Sequence, residues 1–256
     1  MSSNYRSILN AQGSSFASTN SFTFDGSTDY IQTNSTYSEL DGQSKASFSF
    51  WIKPPSTIVD LQVISSVIRN ATQSNHQFQI RLATNATVQI SMDTDSKYIR
   101  AASTPLNLNA WNHVLFCFDT TQGLSANRGR VFINGVDSTS ATTVSSTFKT
   151  STGSLHIGEN ENGHYNNFEG ILDEFAIWSG TDLRNQSDVD TIYNGGIPTN
   201  LNDNGLTAPT TWYRMGEEAN YTGRNWDLID QGSGGNNGFS DTLPAPPAQP
   251  STDVPT

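Results

Sequence analysis

The segment from Gly153 to Trp178, GSLHIGENENGHYNNFEGILDEFAIW, decides how the chain is read. Two apolar pieces, Leu155 to Ile157 and Phe168 to Trp178, enclose a loop of Glu, Asn, His and Gly. In the second piece Gly170, Leu172 and Glu174 alternate with Ile171, Asp173 and Phe175, and the run then turns continuously apolar through Phe175, Ala176, Ile177 and Trp178. Such a run predicts a strand that starts half exposed and ends buried. The polar loop is then expected at a sheet edge, its carboxylates and amides facing water or a metal.

The same texture extends outward in both directions. SFTFDGSTDYIQT predicts an opening hairpin, with Phe22 and Phe24 alternating, a turn at Asp25-Gly26, and a second strand from Tyr30. ASFSFWIKPP places Phe48, Phe50 and Ile52 on one face and Ser47, Ser49, Trp51 and Lys53 on the other, a half-buried strand stopped by Pro54-Pro55. FQIRLA and TVQISMD form a further hairpin around Thr84 to Ala86, and Asn134-Gly135 in GRVFINGVD supplies a type I′ turn. One short surface helix is expected in SDVDTIYNGG, capped by Ser187 and ended by Gly195. Strand and turn alternate without helical periodicity elsewhere, which implies an all-β, two-layer antiparallel sandwich.

Composition narrows the function. Of the 256 residues 14% are charged, well below the roughly 25% usual in soluble domains, so Ser, Thr, Asn and Gln carry solubility. The net charge of −11 excludes nucleic acid as the main partner, because binding it draws on clustered Lys and Arg. No apolar run approaches the roughly 18 residues of a spanning helix, so membrane insertion is not expected. MSSNYRSILNAQGSS has no apolar stretch after Arg6 and predicts no signal peptide. The single cysteine, Cys117, lies in the strand pattern WNHVLFCFD and is expected to be a buried, inert thiol. Domain limits follow: a polar arm at 1–20, the sandwich at 21–240 and a Pro-rich tail at 241–256. The tail sequence LPAPPAQPSTDVPT has polyproline II character.

The order SFTFDGSTDYI, ASFSFWIKP, WNHVLFCFD, GRVFINGV, SLHIG, FEGILDEFAIW and DVDTIYNGG resembles the laminin-G-like and pentraxin-like branch of the concanavalin A-like lectin/glucanase superfamily, over roughly residues 21–197. The resemblance implies a jelly-roll sandwich with calcium and carbohydrate or protein ligands at one rim. TWYRMGEEAN with DQGSGGNNG is similar to a module frequent in virion-associated proteins of tailed phages. It implies a non-enzymatic virion structural protein, a capsid decoration or tail/fibre component, fastened by its arm or tail to other virion proteins and to copies of itself. The alternative is a calcium-assisted adhesin that recognises host cell-surface glycans.

Candidate ligands to calcium are Glu159, Asn160, Glu161 and Asn162, which follow the HIG strand where pentraxins carry an acidic, amide-rich loop, with Asp173 on the next strand. Asp25 and Asp29 are read as turn residues instead. His164, Tyr165, Tyr221 and Trp226 are the candidate glycan contacts, since they lie in polar loops, whereas Trp51, Trp111 and Trp178 belong to strands. Hydrolysis by paired carboxylates is disfavoured: the candidates are Glu169, Asp173 and Glu174, and neighbours on a regular strand point to opposite faces. His76, His113, His156 and His164 are too scattered for a zinc site. Gly232 to Gly238 opens no helix, which argues against nucleotide binding.

Overall fold

The computed structural model describes residues 16–69, 75–101, 104–144, 146–160, 163 and 165–256. In chain order its strands begin with β1 (Phe22–Asp25), β2 (Ile31–Thr33), β3 (Lys45–Lys53), β4 (Gln62–Ile68), β5 (His76–Leu82) and β6 (Val88–Arg100). β7 (Asn112–Asp119), β8 (Gly129–Ile133), β9 (Val136–Asp137), β10 (Ala141–Thr142), β11 (His156–Ile157) and β12 (Asn166–Asn167) follow. The long β13 (Glu169–Ser179) leads to helix α1 (Gln186–Tyr193), and then come β14 (Thr211–Tyr213), β15 (Ala219–Tyr221), β16 (Trp226–Leu228) and β17 (Gly238–Ser240).

These strands form two sheets. One runs β1-β13-β3-β7-β8-β9, with β14 also on β13; the other runs β10-β6-β5-β4-β11-β2-β17-β16-β15, with β12 on β4. Among the described residues the ladders are antiparallel except for β12 on β4. Alternate side chains of both sheets, among them Phe48, Phe50, Phe78, Ile80, Phe116 and Phe175, meet in the core between them. Burial of these aromatic and branched side chains, each contributing roughly 1.5–3 kcal/mol on leaving water, is what drives the sandwich to close. The all-β sandwich expected from alternation is the fold.

Local pairing departs from expectation in three places. β1 and β2 do not form a hairpin, because they enter different sheets. Between them Asp25 Oδ1 accepts from the backbone amides of Ser27, Thr28 and Asp29, as its turn role requires, and this turn carries the chain from one layer to the other. β3 is buried on both faces. The face bearing Ser47, Ser49 and Trp51 is covered by a second apolar layer in which Leu115, Cys117 and Trp178 pack under Val189 and Ile192 of α1 and under Trp212. Helix α1 starts after Asn185, and Asn194 ends it in the left-handed region at φ 48°.

The described residues of both terminal segments, from 16 at one end and 241–256 at the other, are tied to the sandwich. Ser21 and Ser251 exchange backbone hydrogen bonds at 2.9 Å, and the Gln249 side-chain amide accepts from the Thr23 N–H through Oε1 and donates to the Thr23 carbonyl through Nε2. Asp253 meets Lys53 Nζ at 2.5 Å and accepts from Trp111 Nε1 at 2.8 Å. The Pro-rich stretch therefore runs along β1, the edge of its sheet, and covers groups that an open edge strand would expose. At the other end Phe16 stacks on Trp212, Arg214 donates to the Ala17 carbonyl at 2.6 Å, and Ser18 Oγ donates to Asp173.

Candidate functional site

The second sheet has one apolar and one polar face, and its register lines the polar residues up. Ser91 of β6 stands opposite Gln79 of β5, Gln79 opposite Ser66 of β4, Ser66 opposite His156 of β11, and His156 opposite Gln32 of β2. The row continues through Phe239, Asp227 and Asn220. The intervening residues, such as Phe78, Ile80, Ile90, Ile157 and Ile31, are the ones that reach the core. Ser66, Gln79, Ser91 and His156 are themselves buried, so this stretch of the polar face is covered and accessible space lies beside it.

At the β5–β6 end of this face lies a cavity of about 410 Å³. Arg81, Asn85, Gln89, Arg100 and Tyr165 are among the residues that line it. The strand register places Arg81 beside Gln89. Arg81 Nη1 donates to Tyr165 Oη at 3.2 Å and Nη2 to Ser91 Oγ at 3.0 Å, while its guanidinium lies 5.2 Å from the Tyr165 ring centroid. Arg100 Nε donates to Gln89 Oε1 at 2.9 Å. A phenol ring, two guanidinium groups and side-chain amides thus line one concave space.

Toward the middle of the sheet His156 Nδ1 and Glu159 Oε1 are 2.7 Å apart, and the His156 ring stacks on Tyr30 at 5.8 Å. The strand that precedes this loop is interior to the sheet, between β4 and β2, and not at its edge. Gly158 makes the exit possible: at φ +95° a Cβ there would meet the Phe24 ring at 2.5 Å and the Asp29 carbonyl at 2.9 Å.

The described members of the expected calcium set, Glu159, Asn160 and Asp173, do not gather in one place. Glu159 and Asn160 leave β11 on the polar side of the second sheet, with the Glu159 carboxylate turned to His156. Asp173 lies on β13 in the other sheet, fully buried, where it accepts from Ser18. Burial and the neighbouring Glu174 raise its carboxyl well above the usual carboxylate range. Glu161, Asn162 and His164 lie outside the described residues. Among the described residues no cluster of three or more His, Cys, Asp or Glu is placed to hold a metal ion.

Of the expected glycan contacts, Tyr165 lines the cavity. Trp226 does not face a ligand, because alternation along β16 turns Trp226 and Leu228 inward and Asp227 outward. Its ring meets Phe22 at 5.3 Å and its indole donates to the Pro244 carbonyl at 2.9 Å. Tyr221 is half-buried against it at 5.3 Å, at the end of the sheet remote from Tyr165. Arg81, Gln89 and Arg100 were not expected as site residues. For Arg81 and Gln89 the signal was the polar half of the alternation in FQIRLA and TVQISMD, the same alternation that marks the strands, whereas Arg100 lies beyond both segments.

A second polar cluster lies on the outer side of the first sheet. A register shift between Asp173 and Ala176, with Glu174 at φ 49°, inserts an extra residue into β13. Leu172 and Phe175 stay in the core while both acids face the outer layer, so the opposite-face expectation for Asp173 and Glu174 does not hold. Glu174 accepts from Trp212 Nε1 at 2.6 Å and from Arg214 Nε at 3.3 Å. Burial pushes its carboxyl up to about 7 despite Arg214. In the same layer Ser49 Oγ and His113 Nε2 are 2.8 Å apart, and burial lowers His113 to about 3. The space between Ser49, His113 and Glu174 is about 10 Å³, too small to admit a substrate. Cys117, buried there and pushed up to about 12, is inert as expected.

A family model described as Laminin_G_3, of the concanavalin A-like lectin/glucanases superfamily, matches residues 25–189. No curated protein matches the chain. Among solved structures, a native heptameric SAP-like pentraxin from Limulus polyphemus is similar at 20% identity and a TM-score of 0.51, covering 69% of this chain and 82% of the pentraxin. Domain 4 of a GH43 extracellular arabinanase from Geobacillus stearothermophilus, solved with arabinotriose, has 21% identity and a TM-score of 0.43 over 59% of this chain and 68% of that one. A Trypanosoma rangeli sialidase has 10% identity and a TM-score of 0.44 over 58% of this chain and 22% of the sialidase. At these identities the likeness is one of fold.

Proposed function

The chain belongs to the concanavalin A-like lectin/glucanase superfamily, and on that premise we propose that it is a non-enzymatic carbohydrate-binding module working on a virion. The observation that carries the binding reading is the cavity of about 410 Å³ at the end of the second sheet, beside Tyr165. Its ring can lie against a sugar face, and Asn85 and Gln89 offer both donors and acceptors to hydroxyl groups. The test is a glycan array probed with the unaltered chain and with Tyr165→Ala and Gln89→Ala. Binding to a defined glycan set, weakened at least about tenfold by either change, is expected, that factor corresponding to about 1.4 kcal/mol. A flat array for the unaltered chain would overturn the reading.

Binding is favoured over hydrolysis by the placement of the acids. A glycosidase needs two carboxylates flanking the scissile bond, whereas Asp173 and Glu174 are buried beneath Ser18, Trp212 and Arg214. The calcium-assisted form of the reading would draw on Glu159, Asn160, Glu161, Asn162 and Asp173, of which Glu159 and Asn160 are the described members of the loop. Neither is among the described residues that line the cavity, and on this reading the glycan is held by the cavity's own side chains.

The virion setting is supported by the low charge content and by the TWYRMGEEAN segment, which forms β14 and the turn after it. Other virion proteins and further copies of this chain are the proposed partners. Mass spectrometry of purified particles tests the setting: abundance near that of the major capsid protein assigns a decoration role, a few copies assign a tail or fibre adhesin, and complete absence removes the virion.

A further inference from the structure

The outward row of the second sheet ends at β15, and the strand register fixes what stands there. Asn220 of β15 is opposite Asp227 of β16, and Asp227 is opposite Phe239 of β17. Further along the same strands the Ile229 N–H donates to the Glu218 carbonyl, and the Asn34 N–H donates to the Asn237 carbonyl. Leu228 turns into the core, whereas its neighbours Asp227 and Ile229 are both exposed, as residues two apart on one face of a strand are. A cavity of about 380 Å³ opens beside them, with Asn34, Asn220, Asp227, Ile229 and Asn237 among its lining residues.

Two features of this cavity ask for one kind of ligand. Asp227 is charged, no Lys or Arg is among the described lining residues, and among the described residues no ion pair engages its carboxylate. A neutral ligand settling over it would strip water from negative charge and return none of the opposite sign, which is costly. Ile229 keeps 53% exposure and offers an apolar surface about 7 Å from Asp227, twice the rise per strand residue. An ammonium group on an alkyl stem answers both: the stem lies on Ile229, the head meets Asp227, and the side-chain oxygens of Asn34 and Asn220 can accept its remaining N–H groups. Lysine has this form, a compact charge with three donors on a four-carbon stem. A divalent metal ion asks for more oxygen ligands than one carboxylate brings, and no cluster of three acids or histidines stands here among the described residues.

We infer that this cavity is a docking site for a lysine side chain presented by a partner protein. It opens at β15, the last strand of the sheet, so a segment of another chain reaches it without rearranging the sandwich. The excess of 24 Asp and Glu over 13 Lys and Arg draws a basic segment toward the chain, and Asp227 with Ile229 fixes where it stops. The site stands apart from the glycan reading, because the cavity beside Tyr165 lies at the opposite end of the sheet.

The experiment titrates the full chain with three probes and follows backbone amide shifts by NMR. The probes are a capped pentapeptide with one central lysine among glycine and serine, the same peptide with that lysine Nε-acetylated, and putrescine. The lysine peptide should move the amides of Asp227, Leu228 and Ile229 saturably, the acetylated peptide should not, and affinity should fall as salt rises. Asp227→Asn should weaken the lysine peptide at least about fivefold, the upper range for an exposed ion pair. Ile229→Ser should weaken it while leaving the salt dependence in place. Because a chain of net charge −11 attracts any cation, Asp188→Asn on α1 makes the same change of charge elsewhere and should alter affinity by less than about twofold. The salt series on the unaltered chain gives a readout independent of any variant's folding. Equal loss in Asp188→Asn, equal binding of the acetylated peptide, or no saturable shift at 227–229 overturns the inference. Putrescine binding more tightly than the peptide overturns the protein partner and makes a free diamine the ligand.

Discussion

The indole of Trp212 donates a 2.6 Å hydrogen bond to Glu174, so β14 closes over one member of an adjacent pair of buried acids on β13. The pair exists because a bulge turns both Asp173 and Glu174 to the outer side, where Ser18, Trp212, Arg214 and Glu217 surround them. Burying two carboxylates side by side favours their protonated forms, and Arg214 offsets this only in part.

Stability should therefore depend on pH through Glu174. Its folded-state pKa is raised from 4.5 to about 7, so between those values the folded chain holds a proton that the unfolded chain has lost, and stability falls as pH rises. His113 acts oppositely: lowered from 6.5 to about 3, it costs stability as pH falls below its ordinary value. Comparing Glu174→Gln with the unaltered chain cancels the His113 effect. In urea unfolding the Gln chain should gain on the order of 2 kcal/mol relative to the unaltered one between about pH 5 and pH 8. A difference that does not change with pH would mean that Glu174 titrates normally.

Gly158 should resist substitution. It turns the chain out of β11 at φ +95°, and a methyl group would press on the Phe24 ring and on the Asp29 carbonyl. Since the turn fixes where Glu159 leaves the sheet, Gly158→Ala should cost roughly 2 kcal/mol or more by denaturant midpoint, the cost of strain and overpacking together. A change under about 0.5 kcal/mol, the range of an ordinary surface substitution, would refute the constraint.

The layers were legible in the chain because one side of each strand is apolar: Phe48, Phe50 and Ile52, or Phe78, Ile80 and Leu82, announce their strands by spacing alone. What covers the other side is not local. Ser47 and Ser49 suggest water, yet α1 and Trp212 bury them from far along the sequence. Arg81 and Gln89 show the same ambiguity, since a polar residue on an alternating strand looks alike whether it faces solvent or a cavity. Tyr165, an aromatic in a polar loop, lines a cavity, whereas Trp226, singled out by the same reasoning, is turned inward by β16. Asp173 and Glu174 misled for a definite reason: strict alternation assumes no bulge, and two consecutive acids before an apolar run are where one occurs.

Chelation should leave glycan binding intact. The cavity is lined by arginines, amides and Tyr165, and the Glu159 carboxylate is engaged with His156. Affinity measured in EDTA and in millimolar calcium should agree within about twofold, or roughly 0.4 kcal/mol. Loss of binding in EDTA would return the metal to the site and point to the loop that begins at Glu159.

The C-terminal segment should behave as part of the sandwich. Deleting 241–256 removes the Ser251 pairing to Ser21, the Gln249 bonds to Thr23, the Pro244 carbonyl that accepts from Trp226, and Asp253, which joins Lys53 to Trp111. It also uncovers Leu243's place in the core and the free edge of β1. Asp253→Ala alone, at a partly exposed site, should cost about 1 kcal/mol, chiefly through the lost indole bond and ion pair. The truncation should cost several times that and, because an open strand edge is a template for pairing, should shift the chain to larger species by size-exclusion chromatography. A truncated chain that stays monomeric with an unchanged midpoint would mean that the segment only rests on the sandwich, free to fasten to a neighbour.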